Sequence, residues 1–324
     1  MNAFILCTLA RPASRCLVGL LAFVAVLAYP ANAAETLAGA RTEVYKRIGD
    51  TNLVVYIFEP AGAPATNRPA IVFFFGGGWS GGTTTQFEEQ CRHFAARGMV
   101  ALAADYRVKT RHGVKPVSCV ADAKSCVRWI RGNAARLGID PNRIAAAGGS
   151  AGGHLAAATA TLPDFDEPSE NKAVSSVPNA LLLFNPALVL APMDGLELEG
   201  FGTKVGPERL GAEPQALSPA HHVKAGTPPT IIFHGKADTT VPYVTAEAFA
   251  TAMKKAGNRC ELVGYEGQGH GFFNFNRGTR YYGDTLAAAD GFLVSLGWLP
   301  AATVTPASAP KPDAPPAGKR GKRR

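Results

Sequence analysis

The chain has 324 residues, of which 47% are hydrophobic and 18% charged, with 35 glycines and 24 prolines. This composition can bury a large core, which excludes an intrinsically disordered protein, and the glycines follow no three-residue period, which excludes collagen. The formal net charge of +8 is concentrated at the ends: residues 1–34 hold Arg11 and Arg15 and no acid, residues 301–324 carry +5, and residues 35–300 keep only +1. So neutral a body has no electrostatic footprint for a nucleic-acid partner.

Near the N-terminus, Arg11 and Arg15 precede an apolar run, Leu17 to Ala28, that Pro30 breaks before Ala31-Asn32-Ala33. Charged flank, apolar run and small-x-small site together read as a secretory signal over residues 1–33. The mature chain would then begin near Ala34 and be periplasmic or secreted. The run is shorter than the roughly 20 apolar residues that span a bilayer, so an uncleaved anchor is the weaker alternative. No stable membrane span is expected after processing.

Strands and helices then alternate. Strands are predicted at Leu53–Glu59, Ala70–Phe75, Met99–Ala104, Arg143–Ala147, Ala180–Phe184, Thr230–Phe233 and Cys260–Tyr265. Helical spacing predicts helices at Gln86–Arg97, Val117–Leu137, Ala151–Thr161, Tyr243–Lys255 and Asp284–Leu296. Short apolar strands separated by helices specify an α/β domain over 34–299, with a mostly parallel central sheet covered on both faces. Residues 186–228 are irregular and Pro-rich, a place for a lid or insertion. Residues 300–324, rich in Ala and Pro and closing on Gly-Lys-Arg-Gly-Lys-Arg-Arg, read as a disordered basic tail, or else a weak tether to an anionic surface.

Cys7 and Cys16 leave with the signal, and Cys91, Cys119, Cys126 and Cys260 remain. Four cysteines in an oxidising compartment allow three pairings; Cys91 with Cys119, on neighbouring predicted helices, is the first candidate disulfide. There is no C-x-x-C. His221-His222 lacks an identifiable third ligand, so neither a metal nor a cofactor is expected.

The strongest chemical signal is Gly148-Gly149-Ser150-Ala151-Gly152, at the junction of a buried strand and a helix. A serine hydroxyl becomes a nucleophile when it is exposed beside a base, and a tight strand-to-helix turn exposes it. Glycines two before and two after remove Cβ clashes in that turn. A Gly-rich phosphate loop is the bland reading, but no Lys-Ser/Thr follows the glycines, so a Walker loop is excluded. Phe75-Gly76-Gly77-Gly78-Trp79 leaves another buried strand, so the N–H groups of Gly77, Gly78 and Ala151 are candidates for an oxyanion hole. Asp238 and His270 each follow a strand, in the chain order Ser, Asp, His, which makes His270 the candidate base and Asp238 its orienting acid. Asp194 and Glu266 are weaker alternatives to Asp238, and His154, His234 and Asp122 read as structural. Trp79 is a candidate for the substrate pocket, with simple packing as the alternative; Phe272, Phe273 and Phe275 are candidates for a pocket wall, with burial in the core as the preferred reading.

These residues together resemble the α/β-hydrolase superfamily, and within it the exported acetyl esterases related to acetylxylan and feruloyl esterases and to hormone-sensitive-lipase-type carboxylesterases. The likeness spans roughly residues 50–298. It is carried by the Gly-Gly-Gly-Trp loop, Asp105-Tyr106-Arg107, Ile139-Asp140-Pro141, Ser150-Ala151-Gly152-Gly153-His154, Leu217-Ser218-Pro219, His234-Gly235 with Asp238, and His270-Gly271-Phe272. One departure stands out: the family usually has His before the three glycines, where this chain has Phe75, which leaves the oxyanion loop to be braced by packing. The resemblance implies a serine carboxylesterase with a short acyl pocket, removing acetyl groups from xylan or another carbohydrate. A peptidase of prolyl-oligopeptidase type usually carries an N-terminal propeller, for which residues 34–50 are too few. A non-catalytic carbohydrate-binding relative would normally lack a triad member.

Overall fold

The computed structural model describes residues 36–62, 66–193, 195–196 and 205–301. The expected signal at 1–33, Asp194 and residues 302–324 of the expected tail lie outside them. Eight strands form one sheet: β1 (Arg41–Ile48), β2 (Thr51–Phe58), β3 (Arg68–Phe74), β4 (Val100–Ala104), β5 (Ile139–Gly149), β6 (Ala180–Phe184), β7 (Thr230–Gly235) and β8 (Cys260–Tyr265). Their spatial order is β1-β2-β4-β3-β5-β6-β7-β8. The β1–β2 and β2–β4 pairings are antiparallel, and every pairing from β4 to β8 is parallel. This is the α/β-hydrolase architecture. Its central strands carry continuous buried apolar runs, Ala70–Phe74, Ile144–Ala147 and Ala180–Phe184 among them, as a sheet covered by helices on both faces requires.

The helices are α1 (Glu88–Ala96), α2 (Lys109–His112), α3 (Pro116–Gly132), α4 (Ala134–Leu137), α5 (Ala151–Thr161), α6 (Pro207–Leu210), α7 (Tyr243–Lys255) and α8 (Thr279–Ser295). Side chains alternate across the sheet with the period of two that strands impose. Val72, Phe74, Leu183 and Ile232 pack under α3, α5 and α7. Phe73, Ala147, Phe184 and Phe233 pack under α1 and α8.

Among the elements that depart from the sequence expectation, three stand out. β1 is added at one edge; its sequence, Arg-Thr-Glu-Val-Tyr-Lys-Arg-Ile, is too polar to show an apolar stripe. Its Lys46 is nevertheless buried, because Nζ donates to Asp122 Oδ1 at 2.8 Å. The helix expected over 117–137 is two helices, divided at Asn133, whose side chain donates to the Trp129 carbonyl. The last helix begins at Thr279 rather than Asp284.

The proposed disulfide is not formed. Cys91, Cys119, Cys126 and Cys260 are all free and buried. Cys91 lies in the core under α1 and α8, whereas Cys119 lies in the core on the opposite face, with the sheet between them. A disulfide needs Cα atoms roughly 4.4–6.8 Å apart, which a whole sheet layer precludes. These thiols pack as small apolar groups.

The described part of 186–228 is largely packed down. Leu188, Val189, Leu190, Leu210 and Leu217 are fully buried in the core under α3, α5 and α7. His221 and His222 place ring nitrogens on the Pro192 and Gln215 carbonyls. Among the described residues no three His, Cys, Asp or Glu gather as a metal site, and no helix is long and apolar enough to cross a membrane.

Candidate active site

The turn from β5 to α5 is built by close approach. A Cβ on Gly152 would sit 2.0 Å from the Phe74 carbonyl oxygen, and one on Gly148 would sit 2.4 Å from that of Gly152. Only glycine fits at either place, which gives the G-x-S-x-G spacing its cause. Ser150 between them has φ +55° and ψ −118°, a strained conformation for a residue with a side chain. Its N–H donates to the Phe184 carbonyl at 2.9 Å, and its own carbonyl accepts the His154 N–H at 3.0 Å. Ala151 opens α5, so its N–H is one of those a helix leaves without an intrahelical acceptor.

The glycine loop leaves β3 alongside. A Cβ on Gly76 would lie 3.0 Å from the Gly149 carbonyl oxygen and 3.4 Å from Ser150 Cβ, so the loop runs directly against the serine turn. Phe75 stacks on Tyr106 with ring centroids 4.1 Å apart, and the Tyr106 hydroxyl donates to the Phe75 carbonyl at 2.7 Å. Packing and a hydrogen bond thus brace the loop where the family's histidine is missing.

His270 stands in the loop after β8, and Asp238 in the loop after β7. His270 Nδ1 lies 2.7 Å from Asp238 Oδ2. The other carboxylate oxygen, Asp238 Oδ1, accepts the N–H groups of Thr240 and Val241 at 2.8 and 2.9 Å. Burial pushes this carboxyl's pKa up, but hydrogen bonds from His234, His270 and the Val241 N–H outweigh it and hold it well below the usual carboxylate range. Because Asp238 stays ionised, Nδ1 of His270 carries its proton and Nε2 is left as the basic nitrogen. His234 supports the loop, placing Nε2 2.9 Å from the Val241 carbonyl. Glu266 is exposed and paired with Lys236 instead.

Ser150 and His270 line the same cavity of about 780 Å³, together with Gly76, Gly77 and Gly78. Phe273 and Asn185 also line it, and Thr83, Glu88, Asn276 and Arg277 extend the lining outward. Two pocket expectations need correction. Trp79 is buried away from this cavity; its ring N–H lies 3.2 Å from His154 Nδ1, and Arg209 covers its face. Phe272 packs on Tyr265 and Tyr281. The aromatics at the cavity are Phe273, which stacks on Phe87, and the exposed Phe275. Three polar residues escaped the sequence reading. Asn185, Gln86 and Asn274 all reach the cavity, but each looks like an ordinary loop residue in the sequence.

The BD-FAE family profile matches residues 55–253, and the Dienelactone hydrolase family profile matches residues 211–302. Esterase LipC of Mycobacterium tuberculosis is 30% identical over 222 residues, or 64% of this chain and 54% of LipC, so this chain spans about half of LipC's length. Carboxylesterase NlhH of the same species is 28% identical over 249 residues, covering 70% of this chain and 73% of NlhH. Native Thermogutta terrifontis esterase 2 superposes with a TM-score of 0.78 at 56% identity, covering 82% of this chain and 96% of that one. Its butyrate-bound form gives 0.76 at 54% identity over 85% and 97%, and other structures of it hold propionate or are phosphorylated by paraoxon. A profile match over most of the folded body, and a solved relative sharing more than half of the aligned residues, place this chain in the BD-FAE family of α/β-hydrolase carboxylesterases.

Proposed function

We propose that this protein is a serine carboxylesterase that removes short acyl groups, acetyl above all, from hydroxyl-rich alcohols such as xylan or another carbohydrate. The observation that carries the reading is one cavity lined by a strained serine, a carboxylate-paired imidazole and a glycine loop. In this reading Ser150 Oγ attacks the ester carbonyl while His270 Nε2 takes its proton, and Asp238 stabilises the imidazolium that forms. The N–H groups of Gly77, Gly78 and Ala151 receive the oxyanion; one such donor is typically worth about 3 kcal/mol in the transition state. Collapse expels the alcohol, protonated by His270, and leaves an acyl group on Ser150. Water, activated by the same imidazole, then releases the acid.

Two features support short acyl chains. Phe273 closes the inner wall, packed on Phe87 and Phe184 and so unable to withdraw without disturbing the core. The Thermogutta relative has been captured with propionate and butyrate. A rim of Thr83, Glu88, Asn276 and Arg277 offers hydrogen bonds to a polyhydroxylated leaving group. Export through residues 1–33 belongs to the same proposal, since a polysaccharide ester meets the enzyme outside the cytoplasm.

Kinetics on nitrophenyl esters of increasing chain length, followed by acetate release from acetylated xylan, test the reading. The kcat/KM for acetate through butyrate should exceed that for decanoate by at least about tenfold, the scale of one or two mis-fitted methylenes in a closed pocket. A preference for decanoate overturns the short-acyl assignment, and no acetate release from xylan or acetylated sugars overturns the carbohydrate assignment.

A further inference from the structure

The Phe75–Gly76 peptide, from which the oxyanion loop springs, is held at both of its poles. Its carbonyl accepts the Tyr106 hydroxyl at 2.7 Å, and its N–H donates to Gln86 Oε1 at 2.6 Å. That N–H is therefore occupied, which leaves Gly77 and Gly78 as the loop's oxyanion donors. Gln86 does not stop there. Its Nε2 donates to Asn274 Oδ1 at 2.9 Å, and Asn274 Nδ2 donates to the Gly271 carbonyl at 2.8 Å. Gly271 follows His270 directly, and its own N–H donates to Asn185 Oδ1 at 3.2 Å. A continuous line of hydrogen bonds thus runs across the cavity from the glycine loop to the histidine loop. Its polarity is forced: a backbone donor at Gly76 and a backbone acceptor at Gly271 permit only one orientation of each amide between them.

We propose that Gln86 and Asn274 are positioning residues, a two-amide strap that registers the oxyanion donors against the catalytic histidine. This inference rests on the esterase reading above. Three consecutive glycines have no side chains with which to fix their peptide planes. Donors stabilise an oxyanion only if they are already aimed at it when charge develops. In this chain, which lacks the usual histidine before the glycines, Tyr106 secures one pole of the peptide and the strap secures the other. Because the strap ends beside His270, proton transfer and oxyanion stabilisation are set by one connected unit.

Steady-state kinetics on nitrophenyl acetate test this with wild type, Ser150→Ala, Gln86→Ala, Gln86→Glu, Asn274→Ala and the Gln86→Ala/Asn274→Ala double variant, each with its thermal midpoint recorded. Gln86→Ala and Asn274→Ala should each lower kcat by about 10- to 100-fold with KM within about threefold, the pattern of an interaction felt in the transition state. The double variant should lose little more than the worse single one, since either change severs the same line. Gln86→Glu retains the acceptor for Gly76, but its ionised carboxylate faces Asn274 Oδ1 without a proton. Its activity relative to wild type should therefore rise as pH falls towards the carboxylate range, a change that a merely structural role would not produce. The strap is refuted if folded Gln86→Ala keeps kcat within twofold, if the loss lies in KM alone, if the single losses multiply in the double variant, or if Gln86→Glu shows no pH-dependent recovery. An active wild type with an inactive Ser150→Ala keeps the esterase reading in any of those cases. A wild type without turnover, or an active Ser150→Ala, removes that reading and the strap with it.

Discussion

His154 lies one helical turn past Ser150 and is wholly buried. Its Nδ1 accepts from the Trp79 ring N–H, and its Nε2 faces the Leu217 carbonyl at 2.8 Å, so the neutral ring satisfies both partners. Burial pulls its pKa down to about 4, against a partial upward pull from the Leu217 carbonyl. The sign follows from linkage: the unfolded chain protonates this ring near 6.5 and the folded one does not, so the unfolded state binds more protons. The stabilisation is complete above pH 6.5 and is lost as pH falls from there to about 4. Its scale is on the order of 3 kcal/mol. Denaturant unfolding at pH 7.5 and pH 4.5 should show this loss in the wild type, and His154→Gln should be less stable at pH 7.5 but flatter between the two. An equally steep loss in His154→Gln would show that another group carries it. The serine, aspartate and histidine candidates were legible in the sequence because strand-to-loop junctions advertise them. The partners of His154 were not, because Trp79 and Leu217 come from distant segments and nothing local marks the pairing.

At the scale of elements, the tightest joint is the crossing of α5 over β3. Gly152 approaches the Phe74 carbonyl so closely that no side chain fits. Gly152→Ala must push the helix off the strand, which should cost at least about 3 kcal/mol and displace Ser150. Gly291, exposed in α8 with no atom near its would-be Cβ, provides the control: Gly291→Ala should stabilise by about 0.5–1 kcal/mol. Thermal unfolding of the two variants checks both, and a Gly152→Ala protein as stable as wild type would contradict the close packing. Elements with a strong local signal were read to the residue: the serine junction that opens α5, the amphipathic spacing of α7 and the continuous apolar run of β6. β1 was missed because its burial depends on an ion pair: Lys46 and Arg107 converge on the fully buried Asp122, which ties the sheet edge to α3. Charge pairing of that kind leaves no period in a sequence. The false Cys91–Cys119 pairing has a related origin, since periodicity identifies a helix without saying which face of the sheet it covers.

For the whole molecule, the parallel part of the sheet brings the ends of β3, β5, β7 and β8 to a common edge, so loops between residues 76 and 277 share one cavity. That convergence was predictable from the alternation of strands and helices. The strap was not, since Gln86 and Asn274 lie 188 positions apart in the chain and meet only once the sheet is assembled. In the proposed reaction this assembly makes Ser150 the nucleophile. Incubation with a dialkyl nitrophenyl phosphate such as paraoxon, followed by peptide mass mapping, tests it most directly. One phosphoryl adduct per chain, on Ser150, should form in step with the loss of esterase activity and much more slowly in His270→Ala. Inactivation with the adduct on another residue, or full activity in a chain quantitatively modified at Ser150, would contradict it.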